Sequence, residues 1–245
     1  MNGTFSCTEC TLKQCIVKRF CNAKWQALLS ENKNHFVYQK GDYIFREQDR
    51  IFGLYMVYSG KVKIVSTGEN HKEKIVSLAT TAYPLGHWGT SVQTYLVGAF
   101  ALDETHVCFF DSDMIYEAFM NNPKLTFAMM MFYSQELQKM EVRERYLSQM
   151  NACEKVAEML LYLKEIFGTN PEDQCLNVIL SRQEMADLAG GCPEQLMREL
   201  TDFENKQLIE KKGKQIALTN IEGLTEMIAH HNLDIYSNLW KYPLN

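Results

Sequence analysis

Nowhere does the 245-residue chain hold the run of about 20 apolar residues that would span a bilayer. Residues Met1 to Cys10 lack the basic start and apolar stretch of a secretory signal. These absences predict a cytoplasmic protein with no membrane partner. The common short catalytic motifs are missing as well. There is no glycine-rich phosphate loop, no His-Glu-x-x-His and no nucleophile elbow, so no enzyme is expected. Positive charge is not in excess either: 25 Lys and Arg face 30 Asp and Glu, for a formal net charge of −5. That weighs mildly against nucleic acid as a partner, because phosphate contacts need Lys and Arg. Local charge outweighs global charge, so the question becomes where the basic residues sit.

What the chain does have is cysteine, eight in all, where a reducing compartment disfavours structural disulfides. Half of them, Cys7, Cys10, Cys15 and Cys21, fall in the first 21 residues. A short amphipathic stretch with Trp25, Leu28 and Leu29 follows. From Phe36 to about Asp111 the pattern is one of short alternating runs: Val37-Tyr38, Tyr43-Ile44-Phe45, Leu54 to Tyr58, Val62/Ile64, Ile75-Val76 and Val107 to Phe110. Gly41, Ser59-Gly60, Thr67-Gly68 and Pro84/Gly86 punctuate these runs as turns. Many short strands, closely spaced, predict an all-β barrel or roll.

Around Pro123 the period becomes helical. Met130, Tyr133, Leu137, Met140 and Leu147 recur at helical spacing and form a coiled-coil-like seam, expected to hold a homodimer. Gln135, Glu136, Lys139, Glu141, Arg143 and Arg145 flank it as a solvated face. The competing reading is that the stripe packs on the β-domain. A helix from about Ala152 to Phe167 stops at Gly168 and Pro171. Ser181 then caps another helix, with Glu184 three residues on completing a capping box. Gly190-Gly191 ends that helix, and Pro193 sits in the first turn of the next. Two short helices around a glycine turn are a helix-turn-helix. Leu208 to Glu210, a turn with Lys211, Lys212, Gly213 and Lys214, and Gln215 to Leu218 read as a two-stranded wing.

On these residues the sequence resembles the cAMP-receptor-protein/FNR family of bacterial regulators over nearly its whole length. The resemblance rests on Lys40 to Phe45, Tyr55 to Lys63, Ala101 to Cys108, Ser181 to Ala189, Glu194, Arg198 and Leu208 to Ile216. It implies an α+β fold: a cyclic-nucleotide-binding-type β-roll, a long dimerisation helix and a C-terminal winged helix-turn-helix. The expected organisation is a cysteine-rich segment at 1–24, the roll at 25–122, the dimerisation helix at 123–150 and the DNA-binding domain at 151–245. The expected function is sequence-specific transcription regulation by a homodimer on palindromic double-stranded DNA, with RNA polymerase as a further partner. The signal would be redox state, oxygen or a small ligand other than cAMP. The alternative is a ligand- or metal-binding module, a zinc site or thiol switch, that is not primarily a DNA reader.

A helix opening at Pro193 can put its first turns into a major groove. Glu194 can accept from a cytosine amino group and Arg198 can donate twice to a guanine edge. The resemblance gives the matching Glu and Arg the same base-reading role, while the plain alternative is an i,i+4 ion pair. Pro193 before the Glu and Met197 before the Arg depart from the commonest family pattern. Arg182, Gln195, Lys211, Lys212 and Lys214 are candidate phosphate contacts. Cyclic-nucleotide-binding members hold ribose and phosphate with a Gly-Glu pair and an Arg-Ser pair. Here Gly86 is followed by His87, and the later pair aligns with Tyr95 and Leu96. Neither supplies the cation a cyclic phosphate needs, so no tight cAMP binding is expected. His87 and Trp88 either line a pocket for another ligand or pack beneath the roll.

The array Cys7-x2-Cys10-x4-Cys15-x5-Cys21 suits thiolate ligation of an iron–sulfur cluster or zinc. In FNR-type members several N-terminal cysteines and one roll cysteine hold a four-iron cluster, and Cys108 matches the roll cysteine. The resemblance thus points to a [4Fe-4S] cluster on Cys108 and three N-terminal cysteines: Cys10, Cys15, and Cys21 or Cys7. A zinc knuckle from Cys7, Cys10, Cys15 and Cys21, a dithiol switch, or a cysteine-rich tail with no cofactor remain open. Cys153, Cys175 and Cys192 read as small buried hydrophobes, with Cys192 set apart by its place at a helix start.

Overall fold

The structure, a computed structural model, describes residues 6–68, 73–86 and 93–231. The chain divides into two compact units between Tyr133 and Ser134. In the first, two short helices, α1 (Ile16–Phe20) and α2 (Ala23–Asn32), precede the strands. Cys15 and Cys21 bracket α1, and Ile16 and Val17 bury it. Eight strands follow: β1 (Asn34–Tyr38), β2 (Tyr43–Phe45), β3 (Gly53–Ser59), β4 (Val62–Thr67), β5 (Glu73–Ala79), β6 (Pro84–Leu85), β7 (Gly98–Ala101) and β8 (Thr105–Asp111). They form two four-stranded antiparallel sheets, β1-β8-β3-β6 and β2-β7-β4-β5. Alternating apolar residues of both sheets meet in one core: Ile44, Phe45, Val62 and Ala99 from one, Val57, Leu85 and Val107 from the other. This is the expected roll.

Two strands and a helix escape the sequence pattern. Pro84 was expected in a turn, yet it opens β6 and pairs with Met56. It can do so because β6 is an edge strand, where a missing N–H costs no ladder bond. β7 reads Gly-Ala-Phe-Ala and so carries no β-branched signal, but it lies between β2 and β4. Helix begins at α3 (Ser112–Asn121), before Pro123, because Asp111 caps it by accepting from the Asp113 N–H at 2.9 Å. Pro123 then opens α4 (Pro123–Gln149) at a position that needs no N–H. Along α4, Met130, Leu137 and Met140 are each more than half exposed. Leu147 is half-buried, and the half-buried Tyr133 donates to the Gly86 carbonyl at 3.4 Å.

The second unit packs the end of α4 with α5 (Ala152–Phe167), α6 (Arg182–Leu188), α7 (Pro193–Asn205), the hairpin β9 (Ile209–Lys212) and β10 (Gln215–Leu218), α8 (Ile221–Ile228) and a 3₁₀ turn, Ala229–His231. Capping boxes start α5 (Asn151/Glu154) and α6 (Ser181/Glu184). α7 buries Leu196, Leu200 and Phe203, the i, i+4, i+7 stripe of an amphipathic helix. Two expectations change. Lys211 and Lys212 belong to strand β9, and the turn is Gly213-Lys214. Arg143 is not on a solvated face: it pairs with the buried Glu158 at 3.2 Å and donates to the Leu188 carbonyl at 2.8 Å.

Gly60 joins β3 to β4 with φ +113°, and a Cβ there would lie 2.6 Å from the Thr105 Cα of the buried start of β8. Gly60→Ala should therefore lower the stability of the first unit by about 1–3 kcal/mol. Urea unfolding followed by intrinsic fluorescence checks this, and an unchanged midpoint would contradict it.

Candidate functional site

Cys7, Cys10, Cys15 and Cys108 come together around one small cavity, partly open to solvent, with room for little more than a water molecule. The rest of its wall is mostly apolar, with Leu12, Met56, Val57 and Phe110, plus the amines Lys18 and Lys33. Cys108 lies on β8 between β1 and β3, paired with His35 and Met56. The N-terminal segment is held over it by small polar ties. The Cys7 N–H donates to Ser30 Oγ at 2.9 Å, and Lys18 Nζ donates to the Cys10 carbonyl. Gln26 Nε2 donates to the carbonyls of Lys18 and Cys21, both at 2.9 Å. Cys21 is buried but is not in the cavity wall. Of the five cysteines singled out, the structure thus gathers four.

Burial governs these thiols. It pushes Cys108 up to about 11 against the pull of the Lys33 ammonium. Cys21 rises to about 12 by burial, with Cys15 and Cys7 adding to it. Cys7 and Cys15 are also raised, chiefly by burial. Lys33 itself is buried, and its Nζ donates to Cys108 Sγ at 3.8 Å. Nothing in the sequence pattern marks Lys33, which simply follows α2.

The same segment reaches the head of α4. Asn22, the N-cap of α2, donates its backbone N–H to Asn122 Oδ1 at 3.1 Å. Asn122 is buried, donates from Nδ2 to the Ala118 carbonyl at 2.8 Å, and accepts through its own carbonyl from Leu125 and Thr126. One side chain therefore ties α2, α3 and the first turn of α4. Sequence reading missed it, because an Asn before a Pro signals only a turn.

Inside the roll, Tyr95 stands where nucleotide-binding members of the resembled family place an arginine. Its ring stacks on Phe45 with centroids 3.8 Å apart, and its hydroxyl donates to the Gly53 carbonyl at 3.3 Å. Leu96 is exposed. His87 and Trp88 lie outside the described residues.

In the second unit, Glu194 and Arg198 project from the first two turns of α7, both exposed. Arg198 pairs with Glu199 at 3.3 Å, not with Glu194, and its side chain is 73% exposed. Gln195 is half-buried, and Arg182 is exposed at the start of α6. Lys214 stands exposed in the wing turn. Lys212 pairs with Glu210 at 3.4 Å. Lys211 binds Glu204 at 2.8 Å and donates to Thr201 at 3.3 Å, so it ties the wing to α7.

A β-roll and a winged helix-turn-helix in one chain define a DNA-binding regulator. The cyclic nucleotide-binding domain family matches residues 35–122, and the Crp-like helix-turn-helix domain matches residues 154–227. The chain belongs to the Crp/Fnr family of transcription regulators. It is 26% identical to the transcriptional activator protein Anr of Pseudomonas protegens, over 86% of this chain and 87% of that protein. It is 23% identical to an anaerobic regulatory protein of Haemophilus influenzae, over 90% of this chain and 87% of that one. Its fold is similar to that of FixK2 from Bradyrhizobium japonicum, with a TM-score of 0.70 and 20% identity over 80% of this chain and 96% of that one.

With its thiol near 11, Cys108 is thiolate in only about one molecule in a thousand at pH 8. In metal-free protein, iodoacetamide should label the exposed Cys192 well before Cys108. Peptide mass mapping reads this directly, and equal labelling rates would contradict the burial account.

Proposed function

We propose that the protein is a redox-responsive, sequence-specific transcription regulator, acting in the cytoplasm as a homodimer on palindromic DNA together with RNA polymerase. The observation that carries this reading is the meeting of Cys7, Cys10 and Cys15 with Cys108 in one largely apolar cavity. That donor set suits a [4Fe-4S] cluster better than one zinc ion. Zinc, at 2.3 Å from each sulfur, draws its four ligands to about 3.8 Å of one another. Among the described residues, the groups with three ligand atoms within 4.8 Å of one another include none of these cysteines. When bound, a cluster supplies a redox-active centre tuned by burial and hydrogen bonding. Lys33 and Lys18 add positive charge beside the thiolates that ligation requires.

The protein's own residues then carry the signal. Ligation through Cys7, Cys10, Cys15 and Cys108 fastens the N-terminal segment to β8, and Asn22 and Asn122 extend that hold to the head of α4. Releasing the cysteines loosens it and biases the packing of the exposed Met130–Met140 stripe between protomers. Tyr95, which fills the roll against Phe45, supports a signal other than cAMP. The name of the Haemophilus relative, an anaerobic regulatory protein, supports an oxygen-linked one. Glu194 and Arg198 read bases, with Arg182, Gln195, Lys212 and Lys214 toward phosphates.

Selection of bound fragments from random DNA by anaerobically purified protein should return a palindrome, with half-sites one turn, ~34 Å, apart. Binding to it should change on exposure to air. Arg198→Ala should weaken binding by about 1–3 kcal/mol and relax one base position. A site without two-fold symmetry, or affinity indifferent to both air and Arg198→Ala, would contradict the proposal.

A further inference from the structure

A second group of metal-ligating side chains lies far from the thiol cavity in sequence and uses none of its residues. Glu154, in the first turn of α5, faces His230 and His231 of the 3₁₀ turn that follows α8. His231 Nε2 lies 3.1 Å from Glu154 Oε2, and His230 Nε2 lies 3.6 Å from Glu154 Oε1. The imidazole rings sit side by side, with centroids 4.0 Å apart. All three ligand atoms fall within 4.8 Å of one another. In a tetrahedral zinc site with bonds near 2.1 Å, neighbouring ligand atoms are about 3.4 Å apart. The two histidine–carboxylate distances, each to a different oxygen of Glu154, lie on either side of that value.

The surroundings suit a bound ion. The Glu154 carboxylate is already oriented by the Asn151 N–H at 3.0 Å and by Asn151 Nδ2 at 2.7 Å, as an outer shell orients a metal ligand. His231 is nearly buried edge-on against Tyr146, whereas His230 is open to solvent and gives an ion its way in. Two imidazoles and one carboxylate are the donors that borderline divalent ions take, leaving a position for water.

We infer that Glu154, His230 and His231 form a binding site for a divalent transition-metal ion of the zinc class, separate from the thiol array. The ion pins the turn after α8 to the first turn of α5, beside Tyr146 at the end of α4. A histidine–carboxylate ion pair is the competing use of these groups, and the experiment separates the two.

Chelator-treated full-length protein is titrated anaerobically with Co²⁺ and followed by absorption. Cobalt on cysteine gives a near-ultraviolet thiolate charge-transfer band, and cobalt on imidazole and carboxylate does not. The expected result is one equivalent that develops visible bands without the thiolate band. Its affinity should fall roughly tenfold or more in Glu154→Gln and in His231→Ala, since losing even an outer-shell partner has that effect. Thiolate-bound cobalt should be unchanged. Glutamine at residue 154 can still complete the capping box, so this variant keeps the start of α5 folded. Cobalt bound only with the thiolate band, or equal affinity in the parent and both variants, would overturn the inference.

Discussion

Burial of the thiols is the constraint on which the proposed redox site depends. Cys7, Cys15, Cys21 and Cys108 are all pushed above the ordinary thiol range by loss of solvent. A metal needs them as thiolates. The cavity is therefore stable with neutral thiols and becomes a strong ligand set only when a positive centre offsets the charge. Lys33, buried against Cys108, supplies part of that offset before any metal arrives. A metal bound here would release protons, so its occupancy would weaken as pH falls and protons compete for the same sulfurs.

The cavity matters beyond itself because its wall is made of two separate pieces of chain. Cys108 sits on a central strand of a packed roll. Cys7, Cys10 and Cys15 sit on a segment with little core of its own, anchored by Ile16, Val17 and a few side-chain hydrogen bonds. Such a segment lies at the low end of local stability, and a bond to β8 changes its order more than the order of the roll. Asn122 satisfies groups on α2, α3 and α4 at once, so in the proposed mechanism it would pass that change to the head of α4. The DNA-binding unit is built the opposite way, on reciprocal caps and a buried ion pair. Removing one partner of a pair such as Arg143–Glu158 costs about 3–5 kcal/mol, which suits a part meant to keep its shape.

Much of this was legible in the residues. The Ser181/Glu184 capping box, the Gly190 turn and Pro193 at a helix start are local signals, and each does its expected job. The roll showed through its alternating strands, except where edge position excused a proline or where small residues hid β7. Long-range partners were not legible. Position on a helix says that Arg143 is charged, not that Glu158 lies buried opposite it. Lys211 read as a phosphate contact in a lysine-rich turn, and only the fold shows Glu204 beside it. The cysteine spacing suggested a metal site, the resemblance added Cys108 to it, and the fold brings Cys108 to three of the four N-terminal cysteines. That Cys21 stands outside the cavity wall, across the five residues of α1 from Cys15, was not legible in the spacing.

The central claim is that three N-terminal cysteines and Cys108 act as one ligand set. Iron and sulfide analysis of anaerobically purified protein, for the parent and Cys108→Ala side by side, tests it most directly. The account predicts brown parent protein with iron and sulfide in matching amounts, and loss of both from Cys108→Ala. Colourless parent protein holding one zinc per chain, or full iron retention in Cys108→Ala, would contradict it.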